Sequence, residues 1–255
     1  MDTLNNIVLE IQHYLSDYIL IVALGFGGIW FSFRTGFIQV RGFKEGMRRT
    51  FGGLFSKKGD AGKDGMSSFQ ALATAIAAQV GTGNIAGAAT AIAIGGPGAI
   101  FWMWVAAFLG MATIYCEAIM AQKYKKIGKD GVVTGGPVYY IRAAFQGVFG
   151  KVLAAIFAVL LIFALGFMGN AVQSNSIAAS FHTAFGIPQW ITGIVIAVIC
   201  LFIFTGGMKR IAKVTELSVP LIAALYIAGS LISIVYNWKN TPAAFDEIFV
   251  GAFAP

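Results

Sequence analysis

Residues 77 to 87 read Ala77, Ala78, Gln79, Val80, Gly81, Thr82, Gly83, Asn84, Ile85, Ala86, Gly87. They lie inside an apolar stretch with no charged residue between Asp64 and Glu117. A helix facing lipid would carry Leu and Phe at its middle, yet this one carries glycine, hydroxyl and amide. Two glycines one residue apart each weaken a helix by about 1 kcal/mol relative to alanine. Unwound backbone at membrane depth survives only where protein or a cavity covers it. The stretch therefore predicts a membrane-crossing helix that opens near residues 80 to 83.

Working outward, the uncharged run from Asp64 to Glu117 and a second from Lys151 to Lys209 each exceed the roughly 20 residues that cross a bilayer core, so each predicts two crossings. Gly95, Gly96, Pro97 and Gly98 supply the turn in the first run, and Gly186 with Pro188 the turn in the second. Hydrophobic residues make up 58% of the chain and charged residues 11%, where a soluble globule carries about a quarter charged. The expected fold is an all-α membrane protein with six transmembrane helices, near residues 14–36, 68–94, 98–122, 152–180, 190–207 and 214–237.

Six crossings place every Lys and Arg on one side except Lys239. Basic residues near span ends stay in the cytoplasm, so both termini are expected outside. The net charge of +7 then reflects loops lying against an anionic leaflet, and nucleic acid is not expected as a partner. In the first basic loop Phe37, Val40, Phe43, Met47, Phe51 and Leu54 recur at helical spacing among Arg41, Lys44, Arg48 and Arg49, which predicts a helix in the membrane interface. The acidic N-terminus, with Asp2, Glu10 and Asp17, does not read as a cleaved signal peptide.

The broken helix has a chemistry. The outer half-helix offers free amide hydrogens that attract a carboxylate, and the inner half offers free carbonyls that suit Na⁺. Glycine at 81 and 83 lets backbone approach a ligand directly, while the Asn84 amide oxygen, the Thr82 hydroxyl and Gln79 add neutral polar groups. An amino acid and a sodium ion are the partners such a site fits, with no cofactor beyond the coupling ion. A second reading is close helix packing through the GxxxG pair Gly83 and Gly87, which gives Gln79, Thr82 and Asn84 no purpose. The spacing of Gly81, Gly83 and Gly87 departs from the dinucleotide fingerprint and follows no strand.

The run from Val80 to Gly110, VGTGNIAGAATAIAIGGPGAIFWMWVAAFLG, resembles the signature of the alanine or glycine:cation symporter family, and Gly135, Gly136, Pro137, Val138, Tyr139 and Tyr140 resemble a second segment of it. The resemblance extends along the whole chain. It implies a LeuT-type fold of the APC superfamily, in which five helices are related to five more by inverted repetition and the site lies at broken helices. Residues 1–40 are then a peripheral transmembrane helix, 41–66 a basic cytoplasmic segment, 67–238 the first repeat and 239–255 an interrupted outer segment, with the second repeat missing. It also implies sodium-coupled symport of alanine or glycine across the plasma membrane. The backbone of Gly81, Thr82 and Gly83 would meet the substrate carboxylate, Asn84 would help hold Na⁺, and carbonyls of Ala77 and Val80 would line a second sodium position. The alternative is a non-transporting membrane scaffold or half-transporter that associates through its small-residue faces.

On the fourth span Phe163, Phe167, Asn170 and Gln173 fall three or four apart, which would put them on one face and make Phe167 and Asn170 part of the substrate wall. Packing explains this face equally for Asn170 and better for Gln173. Glu117 reads as an interfacial carboxylate, Glu216 as the partner of Lys213 or Arg210, and Pro220 as a pivot or a packing adjustment. Cys116 and Cys200 have no metal spacing, His13 and His182 stand far apart, and no nucleophile, base or phosphate motif points to an enzyme.

Overall fold

The structure, a computed structural model, describes residues 2–55, 68–128 and 133–253. The expected basic residues Lys57, Lys58, Lys63 and Lys129 lie outside those ranges.

The first span starts earlier than its apolar run. Helix α1 (Asp2–His13), a π-helical segment (Tyr14–Leu20) and α2 (Ile21–Arg34) form one continuous rod, because Leu20 and Ile21 keep helical backbone angles at the junction. Its C-terminal end folds back through Gly36 and Phe37, both at positive φ, so Phe37 leaves the helical row expected of it. Ser32 is buried and donates to Gly28 O at 2.7 Å, and Gln39 donates to Ser32 Oγ at 2.6 Å. Short helix α3 (Ile38–Arg41) leads into α4 (Phe43–Phe55). On α4, Glu45 pairs with Arg48 at 2.8 Å and Arg49 at 2.7 Å, and hydrogen bonds from Arg49 and then Arg48 hold its carboxyl below the usual value. Val40, Phe43 and Met47 are exposed beside this charged row.

The second span is two pieces, α5 (Ser68–Gln79) and α6 (Thr82–Gly95). Gly96, at φ 72°, ends α6, and α7 (Ala99–Lys123), long and apolar enough to cross a membrane, follows. Gly28 packs α2 on α7 so closely that a Cβ there would stand 2.7 Å from Leu109 Cβ. After α7 comes a feature outside an all-α expectation: β1 (Lys126–Ile127) pairs antiparallel with β2 (Val133–Thr134). Gly136, at φ 103°, then sets Pro137 at the start of α8 (Pro137–Ala144), where its missing N–H costs nothing.

The fourth span is a 39-residue rod, Gly147–Phe185, at 1.5 Å per residue about twice the ~30 Å hydrocarbon thickness. It comprises α9 (Gly147–Leu161), a π-helical segment (Ile162–Gly169) and α10 (Asn170–Phe185), ended by Gly186 at φ 69°. Helix α11 (Gln189–Phe204) and α12 (Gly207–Tyr236) follow, and α12 runs unbroken through Pro220. The outer segment expected from residue 239 folds as α13 (Thr241–Gly251).

Among the described residues four helical stretches are long and apolar enough to cross a membrane: Asn5–Arg34, Ala99–Lys123, Gly147–Phe185 and Arg210–Tyr236. Of the six expected spans, the fifth is a shorter apolar helix of 16 residues and the second is divided into pieces of 12 and 14. The chain is a mostly helical membrane protein. Among the described residues the buried apolar side chains are those of Ala73, Ala112, Ala154, Ala178 and Ala212, small enough to let helix backbones approach while many large apolar side chains face outward.

Candidate functional site at the opened helix

The last regular bond of α5 runs from Val80 N to Ile76 O at 2.8 Å. Gly81 then turns extended, with φ −145° and ψ −168°. The amide hydrogens that would have continued the ladder go elsewhere. Gly81 N donates to Asn84 Oδ1 at 2.9 Å, and Thr82 N donates to Gln173 Oε1 at 3.1 Å. The Gly83 N–H has no partner among the described residues. The carbonyls of Ala77, Ala78 and Gln79, whose helical donors these would be, are thereby left without them.

Gly81 is distinguished by the close approach of a neighbour rather than by its backbone angles. A Cβ at this position would collide with the Gln173 amide group. Gln173, on α10, is the side chain that closes the break: its Oε1 accepts from both the Thr82 backbone and the Thr82 hydroxyl, each at 3.1 Å. A carboxamide oxygen thus occupies the mouth of a helix N-terminus, the position that favours an anion. Asn84 caps the same helix from within, its side chain on Gly81 N and its own N–H on Gly81 O at 3.1 Å.

On the opposite side of the break, α12 encloses a cavity of about 550 Å³ with Ala77, Val80 and Asn84 on one wall and Thr215, Ser218 and Tyr226 on the other. All three residues named as sodium positions line it. Gln79, Gly81, Thr82 and Gly83 sit at the break but not in the cavity wall. Phe167 and Asn170 are not brought to either. Phe167 is 62% exposed and packs on Phe163 with ring centres 5.8 Å apart, and Asn170 Nδ2 donates to Gly166 O of its own helix at 3.0 Å.

Two residue groups at this site lie beyond the expected set. Gln173 stands where Asn170 was expected, and Thr215 with Ser218 contribute hydroxyls from α12, on which no site residue was expected. Their spacing with Ile222 along one face of α12 is the signal that marks them. The break therefore has two poles: the Thr82 N–H and hydroxyl on Gln173 of α10, and on the α12 side a cavity lined by Ala77, Val80 and Asn84. Among the described residues no cluster of His, Cys, Asp or Glu could hold a metal, and the cavity lining carries no carboxylate, lysine or arginine.

Comparison with known proteins identifies the family of the chain. The model of the sodium:alanine symporter family matches residues 1–255. The chain is 46% identical over 94% of its length to the putative sodium/proton-dependent alanine carrier protein YrbD of Bacillus subtilis, covering 47% of that protein. It is 43% identical over 92% of its length to the sodium/alanine symporter AgcS of Methanococcus maripaludis, covering 51% of it. The probable sodium/glutamine symporter GlnT of Bacillus subtilis is 40% identical over 98% of the chain, which covers 51% of that relative. The chain thus spans about half the length of these relatives. A match along all its residues and these identities place it among transporters rather than enzymes: the chain belongs to the sodium:alanine symporter family.

Proposed function

We propose that this chain forms part of a symporter that carries a small neutral amino acid, alanine or glycine, across the plasma membrane together with Na⁺. The observation that carries the reading is the helix opened at Gly81, with amide hydrogens turned to one side and unsatisfied carbonyls beside a cavity on the other. The Thr82 and Gly83 N–H groups hold the substrate carboxylate, and the Gln173 amide oxygen is its stand-in until substrate displaces it. Na⁺ sits among the Ala77 and Val80 carbonyls and Asn84, whose amide oxygen has a second lone pair beyond the one engaged with Gly81. Gln79 lies at the same break. Phe167 and Asn170 join the wall when α10 closes on the ligand.

Neutral groups at both poles give the coupling its physical basis. The only full charges at the loaded site are those of the ligands, so the carboxylate and the cation stabilise each other. At about 4 Å and an effective dielectric near 20 that attraction is about 4 kcal/mol, larger than the 1–3 kcal/mol typical of coupled sites. Relatives named for alanine (AgcS) and, as probable, for glutamine (GlnT) are consistent with a backbone site that holds the carboxylate while other residues choose the side chain.

The wider architecture follows the same reading. The peripheral rod α1–α2 precedes a five-span repeat running from α5 to α12, of LeuT type. The basic loops face the cytoplasm and both ends of the described chain face outside. A second repeat lies in the half of the relatives that has no counterpart here. Rocking of one repeat against the other exposes the site alternately.

The test is uptake of labelled alanine into proteoliposomes by this chain joined to the carboxy-terminal half of AgcS. Uptake is expected only with an inward Na⁺ gradient. Asn84→Ala should raise the Na⁺ concentration needed for half-maximal uptake about tenfold, while the lost cap costs about 1 kcal/mol of stability. Uptake indifferent to Na⁺, or an unchanged Na⁺ requirement in Asn84→Ala, would contradict the assignment.

A further inference from the structure

The cavity continues, one turn toward the start of α5, into a polar seam that the transport site does not use. Gln70, Thr74 and Ala77 share one face of α5. Opposite them on α12 stand Glu216, Thr215 and Ser218. Gln70 Nε2 donates to Glu216 Oε2 at 2.8 Å, and the Thr74 and Thr215 hydroxyls meet at 3.1 Å. Thr215 also lines the cavity, next to Ser218. Thr74 lies one turn beyond Gln70 on α5 and its partner Thr215 lines the cavity, so the contacts lead from Glu216 through the threonine pair to the cavity.

Glu216 departs from its expected role. Arg210 donates instead to Phe202 O at 2.6 Å and lies over the Phe202 ring at 4.8 Å. Lys213 forms no ion pair with Glu216 among the described residues, and α5 contributes no charged side chain. A carboxylate that merely reached for interfacial water would point away from its neighbour. This one points into the helix pair, half-buried, with an amide hydrogen bond as its only described partner.

We propose that the seam between α5 and α12 is a second, transient position for a monovalent cation, with Glu216 and the Thr74 and Thr215 hydroxyls as its oxygen ligands, through which Na⁺ passes between the cavity and the cytoplasmic side. This rests on the transport reading above for its direction. A hard cation takes oxygen ligands, and the seam supplies two hydroxyls and one carboxylate that, among the described residues, forms no ion pair with a lysine or arginine. The cytoplasmic loops are strongly basic, and a cation leaving against that field needs a fixed negative charge at the exit. Glu216 sits at that end. Its single charge, unlike a cluster, holds the ion weakly enough to release it.

Glu216→Gln keeps the shape of the side chain and removes its charge. In the joined protein, equilibrium alanine binding at saturating Na⁺ is expected to stay within about twofold of the parent, while turnover, read as alanine-driven efflux of radioactive sodium, falls about tenfold. Glu216→Asp should restore most of that rate. Normal turnover in Glu216→Gln would overturn the proposal. So would a loss of Na⁺-dependent binding as large as the loss of rate, which would move Glu216 into the cavity site. Should Glu216→Gln fail to insert, Thr74→Val is read the same way, with about threefold slowing expected and unchanged turnover counting against the seam. Sodium NMR line broadening by the purified chain in detergent, reduced by Glu216→Gln, checks cation contact without transport. Absent uptake in the parent would defeat the transport reading, whereas unaltered broadening in Glu216→Gln defeats the seam alone.

Discussion

Gly81→Ala is expected to leave the chain folded and to cut Na⁺-dependent alanine uptake by about a hundredfold. The added methyl falls on the Gln173 amide group, the far end of a flexible side chain, which swings aside. The structural cost is then the two hydrogen bonds from Thr82 to Gln173, each worth about 1 kcal/mol. The functional cost is larger, because the methyl occupies the space where the amide hydrogens of α6 point. A carboxylate held there by hydrogen bonds worth about 1.5–3 kcal/mol each loses at least one of them and the direct approach to backbone. A small change in melting temperature beside near-complete loss of uptake is the expected pair of results. Uptake close to that of the parent would mean that the carboxylate binds elsewhere.

Gly98→Ala should act in the opposite way, on structure first. The methyl meets the backbone of Gly251 and Ala252, which cannot rotate out of its path. Helix α13 is held against α7 by Trp102 Nε1 donating to Ala252 O at 3.0 Å, by Phe101 against Phe253 at 5.2 Å and by Phe101 against Phe249 at 5.8 Å. Overpacking costs about 1–3 kcal/mol, and aromatic pairs contribute about 0.5–1.5 kcal/mol each. A helix of 11 residues has little intrinsic stability once undocked. The expected outcome is rapid protease cleavage after Asn237 and a shifted tryptophan emission. Protection equal to the parent would show that α13 is anchored by other contacts.

The contrast between these two glycines explains how much of the site is legible in sequence. The opening of the second span is written locally, in glycines and polar residues where lipid would select leucine, and the structure breaks the helix at Gly81. The turn at Gly96 and Pro97 is equally local. What the sequence cannot display is which side chain from a distant helix meets the break. Regular 3.6-residue spacing predicts Phe163, Phe167, Asn170 and Gln173 on one face. The π-helical segment Ile162–Gly169 has a wider turn, so it rotates Phe163 and Phe167 away from the row that α10 begins. Gln173 reaches Thr82, and Asn170 turns to Gly166.

A similar π-helical segment at Tyr14–Leu20 belongs to a rod that starts at Asp2, before the apolar run marks it. The cavity wall was illegible for another reason. Thr215 and Ser218 read as ordinary small polar residues of a membrane helix until α12 lies against α5, a pairing across more than a hundred residues of sequence. The Glu216 expectation failed because nearness in sequence favoured Arg210 and Lys213, whereas Arg210 satisfies itself on the Phe202 carbonyl and ring.

The most direct measurement is an experimental structure of the joined protein with alanine and Na⁺ bound. The alanine carboxylate should lie within hydrogen-bonding distance of the Thr82 and Gly83 amide nitrogens, with Gln173 displaced and cation density among Ala77, Val80 and Asn84. Alanine bound away from residues 81 to 83, with Gln173 still bonded to Thr82, would contradict the account.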